Sequence, residues 1–204
     1  MAILQRLETL GEESEQRIQS EEYLGLVRKA FRVWDQSDTQ EKRKLIQNLL
    51  TNAGGTPLTS DDVVRLFIQW IDYYHEAHFA VIRSIYKAPG CTRADMWTDV
   101  HGTEVREDSA EADLFKLLIR DLSTGSVIRQ HRDTTADGRF VKKPAVRHRK
   151  GMGSRVMKSA FDDIEQYELT ELGNQFVHYT MNEVVPRIGT AEQEPRVRNS
   201  SVEA

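Results

Sequence analysis

The feature that most constrains this chain is the recurrence of apolar residues at intervals of three and four, interrupted by side chains that start and stop helices. Tyr23, Leu24, Val27, Ala30, Phe31 and Trp34 trace one such face, and Leu45, Ile46, Leu49, Leu50 and Ala53 trace a second. Asp38 with Glu41 has the spacing of a capping box, in which the first side chain accepts the amide three residues on and the second reaches back. Gly54 and Gly55 are expected to end the second helix in left-handed backbone. The two segments read as an antiparallel hairpin. A thinner stripe, Ile3, Leu7 and Leu10, precedes them and needs a partner surface.

Ser60 is placed to cap a further helix, whose apolar positions run from Val63 to Ile85 without interruption before Pro89 and Gly90 close it. Such a rod would be roughly 39 Å long at the α-helical rise. Thr92 with Asp95 forms another capping box and opens a short helix to Val100. Asp108 with Glu111 starts a longer one, carrying Leu114, Phe115, Leu117, Leu118, Ile119 and Leu122 and stopped by Thr124 and Gly125. Val127 and Ile128 begin a strand, a polar loop follows, and Gln166 to Leu169 return as a second strand. Thr170 then caps a last helix from Glu171 to Val185, ended by Pro186.

The expected fold is mainly α: an N-terminal helical hairpin joined by a long helix to a domain with a small antiparallel β-ribbon. The expected boundaries are 1–60 for the hairpin, 61–188 for the second domain and 189–204 for a disordered tail poor in large apolar residues.

The order helix, short helix, helix, strand, basic loop, strand, helix is that of a winged helix-turn-helix domain. Leu-Ser-Thr-Gly-Ser-Val-Ile at 122–128 and Tyr-Glu-Leu-Thr-Glu-Leu-Gly-Asn-Gln-Phe at 167–176 resemble that superfamily, over roughly Tyr73 to Val185. The resemblance implies a fold more than an activity. The hairpin sequence Lys-Arg-Lys-Leu-Ile-Gln-Asn-Leu-Leu-Thr-Asn-Ala at 42–53 faintly resembles bacterial abortive-infection proteins of the alpha type.

Charge supplies the functional signal. The net charge is −4, but 138–161 carries Arg139, Lys142, Lys143, Arg147, Arg149, Lys150, Arg155 and Lys158 with no acid, so that segment is +8 and the rest of the chain is −12. Acid-free cations attract polyanions, and each phosphate they neutralise releases counterions without reading sequence. Lys116 and Arg120 extend the basic set onto the third helix of the winged-helix pattern. The start of that helix carries Glu107, Asp108, Glu111 and Asp113, where a major-groove reader would present its first turns to base edges. The expectation is therefore DNA binding by phosphate-directed contact led by the wing, with weak sequence specificity. A protein-binding adaptor in a phage-defence type of assembly is the alternative.

Catalytic and metal chemistry find less support. His75 and His78 lie three apart on a helix, but His78 falls on the apolar stripe and His75 towards the polar side. Cys91 is the sole cysteine, preceding a helix start where the dipole lowers a thiol pKa, yet no base accompanies it. Gly151 and Gly153 lack the strand-to-helix setting of a nucleotide loop. A nonenzymatic regulatory protein without metal or cofactor is expected. With no apolar run approaching roughly 20 residues and no signal-peptide pattern at Met1, it is placed in the cytoplasm. The apolar stripe at Ile3, Leu7 and Leu10 and the hairpin face point to a homodimer.

Overall fold

The computed structural model describes residues 12–37, 39–55, 59–132, 134–135, 137, 139–141 and 159–181. Among them, four helices come first: α1 (Glu12–Gln19), α2 (Glu21–Gln36), α3 (Gln40–Gly55) and α4 (Asp61–Tyr73). Ser20 opens α2 by accepting the Tyr23 amide at 3.2 Å, and Thr39 opens α3 by accepting the Lys42 amide at 3.3 Å. Asp38, the expected cap, lies outside the described residues, as do Ile3, Leu7, Leu10 and the expected tail.

Within α2 the buried face differs from the expected one. Tyr23, Leu26, Ala30 and Val33 are buried, whereas Leu24 is 41% and Phe31 59% exposed. Two apolar stripes of equal spacing share this helix. The one containing Ala30 faces α3 and α4, and small Ala30 allows close approach. Tyr23 fixes this register by donating its hydroxyl to the Leu50 carbonyl at 2.9 Å. In α3 the expected stripe is buried, but Gly54 and Gly55 belong to the helix; the left-handed glycines among the described residues are Gly90 and Gly102.

The expected long rod is two helices. α4 ends at Tyr73 and α5 (Glu76–Lys87) begins afresh, because the His78 ring accepts the His75 amide through Nδ1 at 3.1 Å and so caps a new start. No proline or glycine marks this break. The extended Tyr74 and His75 let α5 leave the α2–α4 bundle and pack on α6 (Arg93–Val100) and α7 (Ala110–Thr124). The Thr92–Asp95 capping box forms as expected. α7 is capped one residue later than expected, by Ser109, which accepts the Ala112 amide, while Asp108 pairs with Arg106.

β1 (Ile128–Gln130) and β2 (Tyr167–Leu169) form the antiparallel ribbon, with Ile128 opposite Leu169 and Gln130 opposite Tyr167. The segment before α6 joins its edge: the Gly90 amide donates to the Tyr167 carbonyl and the Tyr167 amide to Cys91, both at 2.9 Å. α8 (Glu171–Met181) follows directly, its first turn capped by Thr170, whose Oγ1 accepts the Gly173 amide at 2.9 Å and donates to the Ser126 carbonyl at 2.7 Å. A Cβ at Gly173 would lie 2.2 Å from the Val127 carbonyl oxygen, so only glycine lets α8 sit this close to the ribbon.

One cluster of buried side chains runs from Tyr23 to Tyr179 and crosses residue 60. Phe67 and Trp70 on α4 meet Phe176 on α8 edge-to-face at 5.4 Å. Buried Asn48 and Asn52, one turn apart on α3, donate their amides to the Thr180 and Tyr179 carbonyls at 2.8 and 3.0 Å. These bonds tie the middle of α3 to the last described turn of α8. No helix among the described residues is long and apolar enough to cross a membrane.

Candidate nucleic-acid interface

Three parts of the chain converge beside the second half of α7. From α7 come Lys116, Ile119, Arg120, Ser123 and Thr124; from the ribbon and just beyond come Arg129, Arg132 and Tyr167; from the first turn of α6 comes Arg93. They enclose a cavity of about 390 Å³ lined by five cationic side chains and no carboxylate.

The five cations differ in what engages them. Arg93 directs Nε and Nη2 at the Tyr167 hydroxyl, at 2.9 and 2.7 Å, and has no carboxylate partner among the described residues. Arg132 lies near the Phe140 ring at 5.9 Å, shared with Arg129 at 5.2 Å. Arg129 pairs with Glu168 at 2.7 Å, and His131 approaches the same carboxylate. Burial works to raise the Glu168 pKa, but the bonds from His131 and Arg129 outweigh it and hold the carboxyl below its usual value. Arg120, 73% exposed, stands 3.7 Å from Asp121, and Lys116 stands 3.4 Å from Asp113. Such exposed pairs are worth little, so a phosphate competes for both cations on favourable terms.

The acids at the start of α7 are occupied by the protein itself. Glu107 accepts from the Ser159 hydroxyl and, at 2.9 Å, from the Ala160 amide. The Ser159 bond and then the Ala160 bond hold its carboxyl below the usual range. Glu107 thereby pins the end of the basic segment to the beginning of α7. Asp108 accepts from Arg106 Nε and Nη2, each at 2.8 Å.

Of the residues expected from sequence, Lys116 and Arg120 lie in the cavity wall. Arg139 is exposed beside the Thr134–Phe140 bridge, where its amide donates to Thr135. Lys142, Lys143, Arg147, Arg149, Lys150, Arg155 and Lys158 lie outside the described residues. Sequence reasoning missed Arg93, Arg129 and Arg132. Arg129 and Arg132 carried a signal, since 123–132 contains no acid. Arg93 carried none, because only the pairing of Thr92 with Gln166 brings it to the ribbon.

Other candidate chemistry changes with the structure. Cys91 is 6% exposed, and burial, with a smaller push from Asp95, raises its thiol to about 11, opposite to the effect a helix start alone gives. His78 is buried and spends Nδ1 on the His75 amide. Trp70 and Trp97 are buried, and the Trp97 indole donates to the Thr103 carbonyl at 2.7 Å. No family model matches the chain, and neither a curated protein nor a solved structure matches it.

Proposed function

We propose that this is a nonenzymatic winged-helix protein that holds nucleic acid through its phosphates, with weak preference for sequence. The observation that carries the reading is the cavity beside α7, in which Arg93, Lys116, Arg120, Arg129 and Arg132 converge without a carboxylate in the wall. The described ends of the +8 segment come close to its cations, with Phe140 beside Arg129 and Arg132, and Ser159 bonded to Glu107, which lies 3.9 Å from Lys116. In this reading α7 is the third helix of the winged-helix pattern, and its second half meets the backbone while its acidic start stays engaged with Arg106 and Ser159.

The test is Arg120→Ala with Arg132→Ala, two exposed side chains that bury no core. Affinity for a labelled duplex is expected to fall about tenfold or more at about 100 mM salt, equally for unrelated sequences. Unchanged affinity overturns the reading.

A specific observation favours self-association as well. Leu24 and Phe31 lie two helical turns apart on one face of α2, both exposed. The full chain is expected to scatter light as a dimer at tens of micromolar, and Phe31→Ser as a monomer.

A further inference from the structure

We infer that a second cavity, formed between α4 and the end of α7, binds a small protonated alkylamine through Asp121 and a wall of aromatic rings. This cavity of about 350 Å³ is lined by Leu66, Trp70, Tyr73, Tyr74 and Asp121, and it shares Thr124 with the cationic cavity. Trp70 and Tyr74 have ring centroids 6.2 Å apart at 44°, and Tyr73 meets Tyr74 at 5.5 Å and 65°, so three rings of different tilt stand together. Aromatic faces carry the negative end of the ring quadrupole and attract organic cations.

Asp121 supplies the charge. Its side chain is 21% exposed, and its cationic and imidazole neighbours stand at long range, Arg120 Nε at 3.7 Å and His78 Nε2 at 3.8 Å. His78 Nε2 is itself buried without a hydrogen-bond partner. Its Nδ1 accepts the His75 amide, so the neutral ring points its one N–H towards Asp121 across a long 3.8 Å contact. Burial lowers the His78 pKa, against the opposing charge and weak hydrogen bond of Asp121. A half-buried carboxylate with no donor inside 3.5 Å among the described residues, beside aromatic rings, matches a group with both positive charge and N–H donors. Gly125 keeps the wall in place, since a Cβ there would lie 2.0 Å from the Tyr74 hydroxyl.

The inference does not depend on the nucleic-acid reading, because Asp121 is no part of the cationic cavity's wall. It is tested on the full chain by ligand-observed saturation-transfer NMR with n-butylammonium and, as the uncharged control, 1-butanol. Saturable binding of butylammonium is expected, with the alcohol about tenfold weaker or more. Asp121→Asn should weaken butylammonium by about tenfold or more, since it removes the charge that the ammonium pairs with. The same variant should leave the unfolding midpoint unchanged or raised, which an Asp121 needed only for structure would not do. Tyr73→Ala, at a 67% exposed position, should weaken butylammonium about two- to fivefold without unfolding the protein. No saturable signal up to about 50 mM, equal binding of the alcohol, or full affinity in Asp121→Asn would each overturn the inference.

Discussion

The acidic approach to α7 and the cationic wall beside its second half differ more in how their charge is employed than in its sign. At the first end, Glu107 and Asp108 are held by Ser159, Ala160 and Arg106. At the far end, Lys116 and Arg120 are joined by Arg93 and Arg132, which have no carboxylate partner among the described residues. A charge count along the helix treats the acids as a barrier to phosphates. The folded chain spends two of them on its own architecture and gathers cations from α6 and the ribbon beside Lys116 and Arg120, on a wall that Asp121 does not line.

The largest effect is expected where the frame that brings the ribbon alongside α7 is broken. Gly173→Ala places a methyl group 2.2 Å from the Val127 carbonyl, so α8 or the ribbon must move. A loss of about 2–3 kcal/mol is expected, read as a lower unfolding midpoint. Gly25→Ala, with nothing within 4 Å of its Cβ in α2, should instead stabilise by up to about 1 kcal/mol. A similar response at both positions would contradict the role given to Gly173.

Next in size is the basic segment. Replacing Arg147, Arg149 and Lys150 by Ala is expected to lower the steepness of the salt dependence of duplex binding by about three units, alike for unrelated duplexes. A loss confined to one sequence would replace phosphate contact with base reading.

The smallest effect belongs to the acidic end. Glu107→Gln weakens the hold on Ser159 and Ala160, and a fall of about 1–3 °C in the unfolding midpoint is expected at pH 7 for an exposed, charge-assisted bond. Because the folded state lowers the Glu107 pKa, its contribution is present above the usual value of 4.5 and fades as pH falls through the lower folded value. The two proteins should therefore converge in stability in acid. A constant gap down to about pH 3 would show that the Glu107 charge is not what holds the segment.

Helix starts were legible where side chains at the expected spacing do the capping, as at Thr92 with Asp95 and at Thr170. The ribbon was legible because its strands alternate between turn signals. The face of α2 was not, because two stripes of identical spacing compete and only packing against α3 and α4 selects Leu26 and Ala30. The break at Tyr74 was hidden because a histidine ring does the work usually given to proline or glycine. Asn48 and Asn52 read as ordinary helix residues, since their partners at Thr180 and Tyr179 lie 132 and 127 positions away. At the candidate site, Lys116 and Arg120 were legible from charge, while Arg93 arrives through a strand pairing that local sequence does not encode.

The most direct test of phosphate-directed binding is the affinity of the wild-type chain for a duplex across about 50–200 mM salt. With Arg93, Lys116, Arg120 and Arg132 on phosphates, the logarithm of affinity should fall with that of salt at a slope of about −3.6 or steeper. No binding at about 50 mM salt, or a slope near zero, would contradict the account and leave the adaptor reading in its place.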